Sequence, residues 1–141
     1  MVNKGVPGET TRMGLERFPR DVQSLGADVV VIQYGLNDCN CWLTDGGLPR
    51  VSREAFEANL IEMVKRAQRF GAKRVILPNN YPTLRYKVML SGERFEDANS
   101  RYSEIIANIA KGNAGVEFCD IRAVFGAYEG PLDDLLMPWP D

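Results

Sequence analysis

Two short stretches of this 141-residue chain carry residue types suited to chemistry at an oxygen atom. Shortly after the apolar run Val29-Val30-Val31-Ile32 stands Gly35-Leu36-Asn37-Asp38, and near the start stands Gly5-Val6-Pro7-Gly8-Glu9-Thr10-Thr11. Asn37 offers a neutral amide whose N–H groups remain donors at every pH. Gly8 offers a backbone N–H that no Cβ obstructs. Donors of this kind, aimed in advance at an oxygen on which negative charge develops, stabilise that charge without reorganising. Each residue also has a plain structural use: Gly8 in a tight turn, Asn37 in a cap or Asx-turn. Asp38 reads as structural, a carboxylate that bonds neighbouring backbone N–H groups.

The rest of the inventory limits what such donors could serve. The chain contains no histidine, so no conventional base is present to activate a nucleophile. Ser24, Ser52, Ser91, Ser100 and Ser103 fall on or beside expected helices, and none follows a strand in a Gly-Asp-Ser setting. Cys39 is nearer to Asn37 than any serine, and it too lacks a base. The three cysteines, Cys39, Cys41 and Cys119, are too few for a disulfide framework, though one bond is open to them, and too few for structural zinc without histidine. On that ligand arithmetic no metal site is expected. Seventeen basic and nineteen acidic residues leave a net charge of −2 with no long block of either sign, which points away from nucleic acid and toward small-molecule partners. No apolar stretch approaches the roughly 18 residues of a membrane span, and the first residues lack the apolar segment of a secretion signal.

Positioning those residues requires a particular set of elements. Val29 to Tyr34 is apolar apart from Gln33 and does not alternate, the pattern of a strand buried on both faces of a parallel sheet. Ser52 suits the cap of a helix in which Phe56, Leu60, Met63, Ala67 and Phe70 recur at helical spacing, ended by Gly71. Arg74-Val75-Ile76-Leu77 reads as the next strand, stopped at Pro78. A helix from about Glu93 to Ala110 follows, with Phe95, Ala98, Tyr102, Ile105, Ile106 and Ile109 on its apolar side, and then a strand from Val116 to Asp120. Ahead of all this, Thr10 to Leu25 is helical in pattern but expected to break at Pro19, because proline inside a helix costs about 3 kcal/mol. Alternating strands and helices with short joints imply a single α/β domain over residues 1–141 with a doubly wound parallel sheet. Loops at the carboxyl ends of its strands are the default place for chemistry. There lie Gly35 to Asp38, Asn79-Asn80-Tyr81-Pro82-Thr83, and Asp120. Asn79 and Asn80 suit turn formation or substrate contact, and Cys39 to Arg50 reads as a rim over the site or a solvated connector.

With these motifs in this order, the chain resembles the SGNH hydrolases, also called GDSL esterases or lipases. Residues Val2 to Thr11 look like the block that supplies that family's glycine, with Gly8 as the match, and Gly35-Leu36-Asn37-Asp38 looks like the Gly-x-Asn-Asp block, with Asn37 as its asparagine. Leu135-Leu136-Met137-Pro138-Trp139-Pro140-Asp141 looks like the approach to Asp-x-x-His, with Asp141 as its aspartate. The resemblance implies a three-layer flavodoxin-like fold, hydrolysis of small-molecule carboxylic esters through an acyl-enzyme, and no cofactor. It gives Gly8 and Asn37 to the oxyanion hole and assigns Asp141 to orienting a histidine. It also implies that the nucleophile strand lies ahead of Met1 and the histidine three positions beyond Asp141, so that the 141 residues alone are inactive and leave an unpaired strand edge prone to association. Two rival readings stand beside it. One is a non-catalytic binding domain on the same fold. The other treats Gly5 to Thr10 as a phosphate-cradling turn, although it lacks both the Gly-Lys-Ser/Thr ending of a P-loop and the three-glycine dinucleotide fingerprint.

Overall fold

Residues Val29–Val31 (β1), Arg74–Pro78 (β2) and Val116–Cys119 (β3) form a parallel sheet in that order in the computed structural model, which describes residues 1–136. Val30 lies opposite Val75, and Leu77 opposite Phe118. The crossover helices are Arg53–Arg69 (α2), between β1 and β2, and Phe95–Gly112 (α3), between β2 and β3. Thr11–Asp21 (α1) precedes β1 and packs on α2, while the short Ile121–Gly126 (α4) follows β3. The order of elements is the one that alternating strand and helix patterns predict, and the α/β class with a parallel sheet is observed.

Apolar residues at helical spacing explain the packing. Helix α2 buries Phe56, Leu60, Met63, Val64 and Ala67, and α3 buries Phe95, Ala98, Tyr102, Ile106 and Ile109. These side chains close over Val30, Val75 and Leu77 of the sheet. The Ser52 hydroxyl caps α2 by accepting from Ala55 N at 3.3 Å, a contact of a kind that contributes about 1 kcal/mol. Phe70, expected in the apolar stripe, is 49% exposed because the helix has already ended at Arg69.

Two further expectations are corrected. Helix α1 runs unbroken through Pro19. The proline sits in its last turn, where the missing N–H removes one hydrogen bond close to where the helix stops, and Gln23–Leu25 continues as a separate 3₁₀ turn. Strand β1 is shorter than its apolar run and is covered on one face alone: Val30 is buried, but Val29 and Val31 are 46% and 60% exposed. The register sets Val29 beside Arg74 and Val31 beside Ile76, so this second face carries a row of strand residues that no described helix covers.

Candidate active site

The two chemistry-bearing stretches meet at the start of α1. Asp38, fully buried at the end of the turn after β1, accepts from the Thr11 backbone N–H at 2.9 Å and from the Thr11 hydroxyl at 2.5 Å. Asn59 of α2 donates to the same hydroxyl at 2.9 Å. Burial pushes the Asp38 carboxyl above the ordinary aspartate range, opposed in part by these hydrogen bonds from Thr11. Its other oxygen, Oδ2, has no partner among the described residues. The structural reading of Asp38 therefore holds, and its partner Thr11 lies 27 positions away in sequence.

The Asp38 to Thr11 bonds hold the turn that contains Asn37 against the start of α1, from which Glu9 and Thr10 separate Gly8. Asn37 is half-buried in the turn Leu36 to Asp38, and among the described residues its side chain makes no hydrogen bond, so its amide is not consumed by a cap or an Asx-turn. Gly8 is exposed and forms a turn with Pro7 at φ +83°, the value expected of the third residue of a type II turn. A Cβ at Gly8 would meet nothing within 4 Å, so the need for glycine here is conformational and the approach to its N–H is open. Arg50 donates from Nη1 to the Gly8 carbonyl at 3.1 Å. Arg17 holds the same stretch from the other side, through Glu9 at 2.6 Å and the Lys4 carbonyl at 2.8 Å. Asp141, the third residue singled out in the sequence, lies outside the described residues.

Glycine is required for a different reason at Gly35. Its φ is +130°, and a Cβ there would collide with the amide of Asn80. Asn80 is buried at the end of β2 with its Nδ2 unpartnered among the described residues, so it packs against the Gly35 turn and does not face outward. Asn79 donates to Asp120 at 2.8 Å and accepts from Arg122 N at 3.2 Å, and Asp120 caps α4 by accepting from Ala123 N at 3.0 Å. Both residues thus tie the β2 and β3 ends together. The neighbouring wall is organised by Glu96 of α3, whose carboxylate accepts from Thr83 N and Oγ1 at 2.8 and 2.7 Å, from Asn99, and from Arg122. Sequence reasoning missed Thr11, Arg50 and Glu96 as organisers; the threonine beside the glycine block was the one visible signal.

A thiol nucleophile is disfavoured by the same geometry. Burial, reinforced by the charge of Asp38, pushes the Cys39 thiol up to about 12, and its Sγ lies 3.4 Å from the Leu36 carbonyl. Beside it a cavity of about 230 Å³ is lined by residues including Cys41, Arg53, Met89, Glu93 and Tyr102. The phosphate-cradling reading also meets an obstacle, because the Thr11 N–H at the helix N-terminus is already satisfied by a carboxylate. No helix among the described residues is long and apolar enough to cross a membrane.

The sequence profile of the GDSL-like Lipase/Acylhydrolase family matches residues 1–139. The chain belongs to that family. Among solved structures, this family member resembles the acetyl xylan esterase AlAXEase, at 29% identity and a TM-score of 0.69 over 88% of this chain and 60% of the other. The acetylxylan esterase Axe2 of Geobacillus stearothermophilus superposes at 24% identity with a TM-score of 0.70, covering 90% and 58% of the two chains. A lipase/acylhydrolase from Enterococcus faecalis gives 23% identity and a TM-score of 0.71, covering 94% and 61%. These likenesses establish the SGNH hydrolase fold. Among curated sequences, the uncharacterized lipoprotein YqeF of Bacillus subtilis (strain 168) is 32% identical over 77 residues, which is 55% of this chain and 31% of YqeF. The chain thus spans about three-fifths of the solved relatives' length and aligns with under a third of YqeF.

Proposed function

We propose that residues 1–141 are the oxyanion-binding portion of a carboxylic-ester hydrolase in which Gly8 N–H and the Asn37 amide stabilise the tetrahedral intermediate. A serine hydroxyl and a histidine, neither of them supplied by these residues in the required setting, complete the machinery, and Asp141 orients the histidine. As the serine oxygen adds to the ester carbonyl, the carbonyl oxygen becomes negatively charged, and two donors already fixed near it lower the barrier, each by about 10²–10³ in rate. The observation that carries this reading is the buried Asp38 to Thr11 pairing: it fastens the glycine block to the asparagine turn while, among the described residues, the Asn37 amide stays uncommitted. Short acyl esters, including acetylated sugars such as those named for AlAXEase and Axe2, are the substrate class in view.

The test compares hydrolysis of a chromogenic aryl acetate by the 141-residue chain and by the polypeptide encoded with its flanking sequence. The short chain is expected to give no turnover above buffer. The longer one is expected to turn over, and Asn37→Ala in it should lower kcat by about 10²–10³. Turnover by the short chain, or an undiminished kcat in the Asn37→Ala variant, defeats the proposal. Absence of a Gly-Asp-Ser block in the flanking sequence would move the assignment to a non-catalytic binding domain.

A further inference from the structure

Among the described residues, the Gly8 carbonyl is held by one partner, the Arg50 guanidinium, which donates to it from Nη1 at 3.1 Å across 42 positions of sequence. Apart from the Arg17 pairing with the neighbouring Glu9, little else restrains this stretch among the described residues: Gly8 is exposed, its turn is open on the Cβ side, and glycine is free to adopt positive or negative φ. Arg50 itself is anchored three ways. Its backbone N–H donates to the Asn40 carbonyl at 2.8 Å, and the next residue, Val51, donates to the Asp38 carbonyl at 3.1 Å. Its guanidinium also lies over the Trp42 ring, 3.9 Å from the centroid. Trp42 is in turn fixed by Asp45, which accepts from its backbone N–H at 2.7 Å, and the segment between them is closed by bonds from Asp45 N to the Trp42 carbonyl and from Leu48 N to the Asp45 carbonyl.

We infer that Arg50 is a positioning residue for ester hydrolysis: by holding the Gly8 carbonyl, in the Gly8–Glu9 peptide, it fixes the place of the Gly8 Cα from which the Gly8 N–H projects, so that this donor and the Asn37 amide converge on one oxygen. Its main chain is paired to Asn40, three positions after Asn37, with Val51 beside it paired to Asp38, and its side chain reaches the carbonyl of Gly8, so this short stretch spans both halves of the donor pair. Stacking on Trp42 restricts the guanidinium to the plane from which Nη1 meets that carbonyl, a restraint that the flexible point charge of lysine reproduces poorly. The segment from Cys39 to Arg50 is therefore a brace for the donor pair, and neither a lid nor a loose connector. This inference rests on the reading of Gly8 and Asn37 as oxyanion donors and adds a third residue that contacts no reacting atom.

The test has two arms. In the ¹⁵N-labelled polypeptide that carries these residues with their flanking sequence, Arg50→Met should move the Gly8 amide resonance and the Trp42 indole resonance, and Arg50→Lys should move the Gly8 resonance less. In the ester-hydrolysing polypeptide that carries these residues, assayed well below the melting temperature of each variant, Arg50→Met should lower kcat by about ten-fold to a hundred-fold. KM should stay within about two-fold, and Arg50→Lys should restore part of the loss. Coincident Gly8 resonances in the wild type and Arg50→Met overturn the inference. So does a Gly8 shift unaccompanied by a fall in kcat, or a loss that appears entirely in KM. Undiminished kcat in Asn37→Ala instead defeats the underlying assignment of the donor pair, which keeps the two failures apart.

Discussion

Asp38 and Asn37 are adjacent and chemically similar in size, yet the fold spends them differently. The carboxylate is buried and committed to Thr11, while the amide is half-buried and, among the described residues, uncommitted. Removing the carboxylate in Asp38→Ala strands a buried backbone N–H and a hydroxyl, which should lower unfolding stability by about 2–4 kcal/mol in a urea melt. The pH dependence has a definite sign. The folded-state pKa of Asp38 is raised by burial, so the folded chain binds its proton more tightly than the unfolded chain. Its contribution to stability is therefore greatest below the ordinary aspartate value and declines as pH rises from that value through the raised one. Asp38→Asn cannot titrate, so the stability difference between wild type and Asp38→Asn should shift against the wild type across that window and level off above it. An unchanged difference over the window contradicts the burial argument. Asp21 works in the opposite sense: hydrogen bonds from Arg20 and Arg17 hold its carboxyl below the usual range, so its contribution is present above the ordinary value and lost on acidification. At this scale the sequence was informative where a motif is contiguous. Gly35 to Asp38 announces itself in four letters, and the residue types of Gly8 and Asn37 follow from donor chemistry. Arg50 was invisible, since its partner lies 42 positions away and nothing in the intervening segment marks the contact.

Between the elements, the site is shaped by how strand ends meet. Gly35 leaves β1 at a φ of +130° with the Asn80 amide from the end of β2 packed over it, so the turn that presents Asn37 is set by contact between neighbouring strands. Gly35→Ala combines backbone strain with a collision and should destabilise the chain by about 2–4 kcal/mol. In an Asn80→Ala background the collision is removed and the strain remains, so the same substitution should cost measurably less. Additive losses in that double-mutant cycle, read from chemical denaturation, contradict the packing account. Strand and helix identities were legible from periodicity because β2, α2 and α3 each bury one consistent face. Pro19 and Phe70 misled for a common reason. A residue's effect depends on its distance from the end of its helix, and helix ends are weakly marked in the apolar pattern: Pro19 falls in the last turn of α1 and Phe70 just beyond α2.

Across the described residues as a whole, the helical cover is one-sided. Helices α2 and α3 close over Val30, Val75 and Leu77, whereas Val29 and Val31 on the opposite face are 46% and 60% exposed. Strand β1 pairs with β2 on one edge and, among the described residues, with no strand on the other. The apolar run read as a doubly buried strand, and its composition was informative even though one face is bare: three successive valines suit a strand covered on both sides far better than an exposed one. An open strand edge beside an exposed apolar row offers both the hydrogen-bonding groups and the apolar surface that another strand would use. The 141-residue polypeptide by itself should therefore associate through β1. Sedimentation velocity over a concentration series should show species larger than the monomer. Val31→Lys places a charge on the exposed row without touching the packed core, so it should raise the monomer fraction and leave the far-ultraviolet circular dichroism spectrum intact. If the wild-type chain instead sediments as a monodisperse monomer and melts in one sharp transition, the free edge of β1 is not the liability that its exposure implies. If the lysine variant associates as strongly as the wild type, the contact lies elsewhere on the molecule.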